Sequence, residues 1–225
     1  MPAFDIVRTS PIADTYRAAR IASDFDYRAK SSEEHFTGSF DLPDDWNIGL
    51  IVGASGTGKT TIARELFGDS VVSGFEYSGL SVLDDMPQNC SLDEITRTFY
   101  SVGFGSVPSW LRPYSVLSNG ERMRCDLARA ILERDFTVFD EFTSVVDRNV
   151  AKTVSMALAK GIRKQNKRFV AVSCHRDIIE WLQPDWVFDT DVMRPLPPSL
   201  RDHGGSSRYA RAAGSVGESI GAIII

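Results

Sequence analysis

The chain has 225 residues, of which 43% are hydrophobic and 24% charged, with a formal net charge of −5. This length and balance suit one soluble domain with a proper core, and the acidic charge argues against wholesale wrapping of nucleic acid while still allowing a local basic patch. Three cysteines without a CxxC pair, and no apolar run of about 18 residues, argue against a disulfide framework, a zinc site or a membrane helix and predict a cytoplasmic protein.

The N-terminal part of the chain has little periodicity. Residues 1–47 mix charged, irregular stretches with two short extended pieces, predicted over residues 4–8 and 17–21. The apolar run Ile48–Val52 leads into a glycine-rich turn, which predicts a buried strand. Helical periodicity follows over residues 60–67.

Helices and strands then alternate. Helices are predicted over residues 91–102, 120–133, 150–162 and 177–182, and buried strands over residues 136–139, 169–172 and 186–188. The first of these helices opens with a capping box, in which Ser91 and Glu94 satisfy free backbone amides. Strands that alternate with helices predict an α/β fold with a mainly parallel sheet flanked by helices.

The composition changes after Pro195. Residues 196–225 have no periodicity and are rich in Gly, Ser, Ala and Arg, ending in three isoleucines. This composition predicts a low-complexity, disordered tail after one folded domain over residues 1–195. A second interpretation is that the tail reflects truncation of a longer protein.

A phosphate-binding loop follows the strand at residues 48–52. The pattern GxxxxGK[ST] is satisfied by Gly53, Ala54, Ser55, Gly56, Thr57, Gly58, Lys59 and Thr60. Glycines let backbone amides point at phosphate oxygens, Lys59 reaches the β- and γ-phosphates, and the Thr60 hydroxyl ligates Mg²⁺. Because a chain of this length matches by chance in about 1% of cases, we predict that this loop, with Thr61 after it, binds ATP and Mg²⁺.

A pair of acids ends the strand predicted at residues 136–139. At the carboxyl end of a parallel strand, Asp140 can hold Mg²⁺ through water, and Glu141 can orient and deprotonate an attacking water. Many strands end at acids, so this Walker B form is weak evidence unless other motifs accompany it.

The run Leu117-Ser118-Asn119-Gly120-Glu121 precedes the helix at residues 120–133. A serine hydroxyl and glycine amides at a helix N-terminus form an anion site, although an ordinary helix cap is the favoured interpretation of this run taken alone. The run resembles LSGGQ, the signature motif of the ATP-binding cassette (ABC) ATPases.

Three more stretches resemble motifs of the same family, in its order. Residues 141–147 resemble the run from the catalytic glutamate into the D-loop, residues 173–175 the H-loop with His175, and residues 86–88 the Q-loop with Gln88. A lone histidine is more often structural and a Pro-Gln pair is common, so these stretches have weight only in combination.

The combined resemblance covers roughly residues 48–191 and identifies the chain as a member of the ABC ATPase family. It implies a P-loop NTPase domain over residues 1–195, with an N-terminal antiparallel β-subdomain and a small helical subdomain. It also implies that two cassettes face head to tail, as a homodimer or with a related cassette. ATP then lies between the phosphate loop of one and the signature motif of the other.

The resemblance assigns a role to each site residue. The implied catalytic residues are Glu141, His175 and Gln88. The implied Mg²⁺ ligands are Thr60, Asp140 and Gln88. The residues implied to reach the partner's ATP are Ser118 and Gly120, with Asp147 coupling the two sites.

Several residues depart from the family pattern. Asn119 replaces the first signature glycine, where its tolerance of unusual backbone angles would let the loop form, and Glu121 replaces the common glutamine. Phe142 stands where proline is usual, which predicts a less rigid turn after Glu141. An aromatic ring should stack on adenine, and the sequence does not choose among Phe25, Tyr27 and Phe36.

The process that the ATPase drives is left open by the sequence. About 30 residues separate Gln88 from Ser118, which is short for the helical subdomain of a transporter cassette and favours a soluble ABC ATPase acting on a protein or nucleic-acid client. The alternative is the nucleotide-binding subunit of a transporter, peripheral to the membrane, with the permease on a separate chain. A pure ATP-binding switch is disfavoured by the Asp140-Glu141 pair.

Overall fold

A computed structural model describes residues 3–27 and 31–196 of the chain. The strands are β1 (Ala3–Pro11), β2 (Ser31–Ser39), β3 (Ile48–Val52), β4 (Val71–Val72), β5 (Phe136–Phe139), β6 (Arg168–Ser173), β7 (Trp186–Asp189) and β8 (Arg194–Pro195). The α-helices are α1 (Tyr16–Asp24), α2 (Lys59–Phe67), α3 (Leu92–Ser101), α4 (Val107–Trp110), α5 (Asn119–Glu133), α6 (Arg148–Gln165) and α7 (Ile178–Leu182).

The main sheet has six strands in the order β4-β5-β6-β3-β7-β8. All neighbours pair in parallel except β7 and β8, which are antiparallel. All five residues of β3 are buried, as expected for a central strand with both faces covered. The predicted α/β fold with a mainly parallel sheet flanked by helices is therefore confirmed.

Side chains of β3 alternate between two cores. Ile48, Leu50 and Val52 pack in the cluster that contains the apolar faces of α3, α5 and α6. Ile51 belongs to the other cluster, which contains Phe36 of β2 and residues of α2. The sheet thus separates a helical layer from a layer that carries the N-terminal strands.

The N-terminal region corrects one prediction. Residues 17–21 were expected to be extended, yet they lie inside α1, which Thr15 caps by accepting the N–H of Ala18. None of the nine residues of α1 is buried, so the helix has no face packed into either core. Strands β1 and β2 pair antiparallel along their whole lengths, which confirms the β-subdomain.

The other predicted elements are confirmed, with ends that differ by at most three residues. Ser91 caps α3 with the predicted capping box, completed by Glu94. The sequence missed the nine-residue strand β2, which lies in a charged stretch read as irregular. It also missed the two-residue strands β4 and β8 and the one-turn helix α4, because elements this short have no periodicity to detect. Within the described residues, no helix combines the length and apolarity needed to cross a membrane.

The predicted tail falls almost entirely outside the described residues, so its disorder stays a prediction. Its first residue, Leu196, is described. The side chain of Leu196 is buried, and its backbone N–H donates to the carbonyl of Val187 at 2.9 Å. The packed part of the chain therefore includes at least one residue beyond the predicted boundary at 195.

Candidate active site

Three motif-bearing loops leave one edge of the sheet. Strands β3, β6 and β5 are parallel, and they are followed by the phosphate loop, by His175 and by Asp140-Glu141. The carboxyl ends of parallel strands meet at the same edge, so the fold brings these loops to one side of the molecule. Strand β6 lies between β3, which leads into the phosphate loop, and β5, which leads into Asp140.

Glycines shape the phosphate loop at two crowded positions. Gly58 has φ 80° and precedes α2, and a Cβ at this residue would come within 2.6 Å of the Phe36 ring. A Cβ at Gly53 would come within 2.1 Å of Thr190 Oγ1. At Gly58, only glycine fits both the left-handed backbone and the close ring. At Gly53, the close hydroxyl leaves no room for a side chain.

Lys59 places a positive charge over this loop. Its side chain is 9% exposed, and its Nζ donates to the carbonyl of Ala54 at 2.6 Å. Ala54, Ser55 and Gly56 are exposed, and the nine-residue helix α2 begins at Lys59. The loop thus combines an ammonium group and the positive end of a helix, which is the arrangement that holds phosphates. Thr60 and Thr61 occupy the first turn of α2 and are half-buried.

The turn after β7 braces the phosphate loop. Asp191 Oδ1 accepts the backbone N–H of Ala54 at 2.8 Å. The hydroxyls of Thr57 and Thr190 lie 2.6 Å apart, and the N–H of Thr190 donates to the carbonyl of Val52 at 2.8 Å. The conformation of the loop is therefore held from a segment more than 130 residues away in sequence.

Arg176, which follows His175, joins this turn to the β6 loop. Its guanidinium donates to both oxygens of Asp189, at 2.7 and 2.9 Å, and to Asp191 Oδ2 at 2.6 Å. The hydrogen bonds to Asp189 are the main cause that raises the pKa of Arg176 above its usual range. Sequence reasoning missed this link, although the run Asp-Thr-Asp at the end of β7 was a visible signal.

The turn after β5 is held firmly, which corrects the expectation that Phe142 loosens it. Phe142 is fully buried, and its N–H donates to the carbonyl of Val172 at 2.9 Å, a hydrogen bond that proline could not make. Ser173 Oγ donates to the Phe142 carbonyl and accepts the N–H of His175. The β5 and β6 loops are thereby tied together.

The backbone of this turn is strained at two residues. Glu141 has φ 53° and Thr143 has φ 66°, and such values are unusual for side chains of these types. Each costs about 1–3 kcal/mol and persists where surrounding contacts enforce it. Glu141 is exposed, whereas Asp140 is half-buried and accepts the Glu141 N–H through Oδ1. The two neighbouring carboxylates thus differ in environment, with Asp140 half-buried and Glu141 exposed to solvent.

The signature run begins α5. Ser118 Oγ accepts the N–H of Glu121, and Glu121 Oε2 accepts both the N–H and the O–H of Ser118. Glu121 Oε1 accepts from Ser109 Oγ at 2.6 Å. These hydrogen bonds, first that of Ser109, lower the pKa of Glu121 to about 2. Asn119 is the first helical residue of α5 and has no positive φ, so its tolerance of unusual backbone angles is not called upon there.

Gly120 packs near the segment predicted to be the D-loop. A Cβ at Gly120 would come within 3.1 Å of Val146 Cγ1. Asp147 caps α6, accepting the N–H groups of Asn149 and Val150. Burial lowers the pKa of Arg124, while the charges of Glu121 and Asp147 act in the opposite direction. The signature run and the D-loop segment are thus neighbours within one chain.

A tyrosine pair, unforeseen from the sequence, holds α5. The rings of Tyr77 and Tyr114 are stacked with centroids 3.8 Å apart. Their hydroxyls donate to the two oxygens of Asp126, at 2.7 and 2.8 Å. Desolvation by burial raises the pKa of Asp126, against the effect of these hydrogen bonds. This pair anchors the helix that carries the signature run.

Gln88 and the aromatic candidates differ in exposure. Gln88 is exposed, and its amide donates to the carbonyl of Asp84 in its own turn at 3.3 Å, so its role at the site stays a prediction. Phe36 is buried against Gly58, whereas Phe25 and Tyr27 are 78% and 53% exposed. An adenine platform requires an accessible ring, which favours the two exposed candidates over Phe36.

The site also fits a nucleotide-bound metal ion. Among residues 3–27 and 31–196, no group of three or more His, Cys, Asp or Glu side chains lies close enough to hold a metal ion alone. Mg²⁺ at nucleotide sites needs only one or two protein oxygens in addition to phosphates and water. Thr60 at the start of α2 and Asp140 at the end of β5 are oxygen donors of this kind on the shared sheet edge.

Solved structures share this fold. The chain resembles a bacterial Atm1-family ABC exporter with ATP bound (TM-score 0.54, 16% identity, 96% of this chain and 42% of that one). It resembles the dimeric ATP-binding cassette MJ0796 in a post-hydrolysis state with ADP and Pi (0.52, 14%, 82% and 94%). It also resembles a chain in the complex of archaeal ribosomal stalk protein aP1 and ribosome recycling factor aABCE1 (0.53, 17%, 68% and 38%).

These likenesses concern the fold, because the identities are low. No family model matches the sequence, and no curated protein matches it.

The Arg176 link makes a prediction about stability. Arg176→Met leaves the carboxylate of Asp189, whose side chain is 6% exposed, without its partner, so the free energy of unfolding should fall by about 3 kcal/mol in urea titrations. The matched control is Arg20→Met, which breaks an exposed pair with Asp24 and should cost less than about 1 kcal/mol. Equal losses in the two variants would contradict the assigned importance of the link.

Proposed function

Because this chain has the fold of the ABC ATPase cassettes, we propose that it binds ATP with Mg²⁺, hydrolyses the ATP and uses ATP-driven dimerisation to power a partner process. The observation that carries the proposal is the phosphate loop. Lys59 lies buried over exposed loop residues at the start of α2, on the sheet edge that also bears Asp140 and Glu141.

Binding follows from the loop. The amides of residues 54–58 and the ammonium of Lys59 hold the β- and γ-phosphates, and the start of α2 adds its dipole. Thr60 and Asp140, with Gln88 as a further candidate, hold Mg²⁺. When bound, Mg²⁺ neutralises phosphate charge that develops during transfer.

Hydrolysis needs a positioned water. Glu141 is exposed on a strained turn, so its carboxylate is available to accept a proton from water attacking the γ-phosphate. His175, on the neighbouring loop, contacts the γ-phosphate. Arg176 positions that loop relative to the phosphate loop through Asp189 and Asp191.

The second cassette completes the site. Ser118 and Gly120 at the start of α5 approach the γ-phosphate bound by the partner, and Asp147 couples the two sites. The partner cassette is a second copy of this chain or a related one. Loss of the γ-phosphate removes the bridge, and the dimer opens.

We propose that the chain acts as a soluble ATPase on a protein or nucleic-acid client. The stretch between Gln88 and Ser118 contains one helix of ten residues, α3, and the four-residue helix α4. Such a small helical subdomain offers little surface to a membrane permease. The alternative function is that of a transporter's nucleotide-binding subunit, with the permease on a separate chain.

Lys59→Ala should weaken ATP binding at least about thirtyfold, because the charge-assisted contact with phosphate is lost. Equilibrium titration with a fluorescent ATP analogue and Mg²⁺ measures this change. Lys152→Ala, at an exposed position on α6, is the matched control. Unchanged affinity in Lys59→Ala would refute the assignment of the phosphate loop.

Glu141→Gln should reduce the ATPase rate at least about 100-fold while ATP binding persists, since the general base is lost. The variant should form a dimer of twice the 24.9 kDa chain mass in light scattering with ATP and Mg²⁺. Glu65→Gln, an exposed carboxylate on α2, is the control. A variant that stays monomeric with ATP would contradict the dimer mechanism.

The trapped Glu141→Gln dimer also identifies the process. Affinity capture with ATP in mild detergent, followed by mass spectrometry, should recover soluble proteins or nucleic acid. Recovery of a polytopic membrane protein would instead support the transporter alternative.

Glu121→Gln should favour the ATP-bound dimer. The lowered pKa keeps Glu121 ionised at neutral pH, next to the residues that approach the partner's γ-phosphate, whereas glutamine keeps an acceptor for the Ser118 cap without the charge. In the Glu141→Gln background, we expect dimerisation at about fivefold lower protein concentration, an effect that shrinks at high salt. Weaker dimerisation would show that the cap matters more than the charge.

A further inference from the structure

A groove of about 690 Å³ lies between α3 and α6. Its lining includes no residue of the phosphate loop, of Asp140-Glu141 or of the β6 loop. The residues that matter for its chemistry are Arg97, Tyr100, Leu132, Lys160, Lys164 and Lys167.

The shape of the groove comes from close contact between its two walls. A Cβ at Gly161 on α6 would come within 3.2 Å of Ser101 Cβ on α3, so the helices nearly touch at that point. Leu132 and Ala157 contribute apolar surface, and the ring of Tyr100, 58% exposed, stands at the groove. A partner segment can therefore bury apolar side chains here as well as meet charge.

The charge of the groove is strongly positive in an otherwise acidic protein. Four cationic side chains line it, whereas the carboxylate of Glu94 is the only acidic one. That carboxylate is occupied by the N–H and O–H of Ser91 in the cap of α3. A net charge of −5 for the chain makes this local concentration of positive charge notable.

The fold itself makes little use of these cations. Across the described part of the chain, the side-chain ammonium groups of Lys160 and Lys164 make no hydrogen bond or ion pair. The Arg97 guanidinium reaches Asp93 only at 3.8 Å, and both side chains are mostly exposed. Lys167 is the exception, since its Nζ donates to backbone carbonyls and lies 3.5 Å from Asp135 Oδ1. An exposed pair such as Arg97 with Asp93 contributes little to stability.

The two lysines of α6 also repel each other. Lys160 and Lys164 are one turn apart on the same helix face, a spacing at which like charges destabilise a helix. The helix dipole explains a cation such as Lys164 in the last turn of α6. It does not explain Lys160, more than a turn from the end, or Arg97 on the opposite wall.

We propose that this groove binds an acidic segment of a partner protein. Carboxylates of the segment meet Arg97, Lys160 and Lys164 on the two walls, while its apolar side chains cover Tyr100 and Leu132. Nucleic acid is the less suitable occupant, because its long phosphate backbone would extend beyond the groove over a chain whose net charge is −5.

The position of the groove connects it with the nucleotide site. Helix α3 begins four residues after Gln88, and α6 is capped by Asp147. Both helices that form the groove thus begin next to residues assigned to ATP chemistry. Binding of the acidic partner segment and the ATP cycle should therefore affect each other. This coupling rests on the proposed function, whereas the binding itself does not.

Fluorescence anisotropy tests the proposal with a fluorescein-labelled peptide of repeated Glu-Glu-Leu triplets and the full chain without nucleotide. Wild-type protein should bind the peptide with an affinity that falls as salt rises. Lys160→Glu/Lys164→Glu should weaken binding at least about tenfold, and Lys160→Gln/Lys164→Gln by a smaller factor. Lys152→Glu, on the same helix but outside the groove, is the matched control and should bind as the wild type does.

The outcomes are distinct. Absence of peptide binding by the wild type, or equal loss in Lys152→Glu, overturns the proposal. Tighter, lysine-dependent binding of a single-stranded DNA oligonucleotide overturns it in favour of nucleic acid. Circular dichroism and ATP titration of each variant show that fold and nucleotide binding are intact. A failure of ATP binding in the wild type would therefore be distinguished from a failure of the groove.

Discussion

Parallel hydrogen bonding of β3 to β6, and of β6 to β5, is the constraint on which the rest of the structure depends. It places Val52 opposite Ser173, and Phe139 opposite Ala171, so three chain segments leave the sheet at one edge. Everything assigned to nucleotide chemistry within one cassette except Gln88 lies on those three loops or in the first turn of α2. The main-chain hydrogen bond from Phe142 N–H to the Val172 carbonyl, and the bond from the Ser173 hydroxyl to the Phe142 carbonyl, tie the two loops together beyond the strands.

Charged side chains divide the surface into regions of opposite sign. Lys59 and the start of α2 create a positive end at the phosphate loop, while Asp191 accepts a loop amide close to where phosphate would lie. That carboxylate is tolerable there because Arg176, which it shares with Asp189, offsets part of its charge. The signature run carries a persistent negative charge at Glu121, and the α3–α6 groove carries the opposite sign.

Strain and capping serve the same edge of the sheet. Positive φ angles at Glu141 and Thr143 are sustained by the buried ring of Phe142, which packs edge-on against Phe169. The caps of α5 and α6 are made by Ser118, which the family resemblance assigns to the partner's ATP, and by Asp147, which it assigns to coupling of the two sites. A dimer would therefore present polar groups already ordered by their own helices, which lowers the entropy lost on association.

The sequence by itself determined the α/β class, the long helices, the buried strands and the positions of the phosphate loop and the acid pair. These follow from local rules, since periodicity, capping and glycine-rich turns are written in neighbouring residues. Only the tertiary structure decided the helical state of α1, the order of the strands, the tyrosine pair on α5, the Arg176 link and the basic groove. Each of these depends on contacts between residues distant in sequence or on the absence of a buried face, and no local pattern encodes which distant side chains will meet.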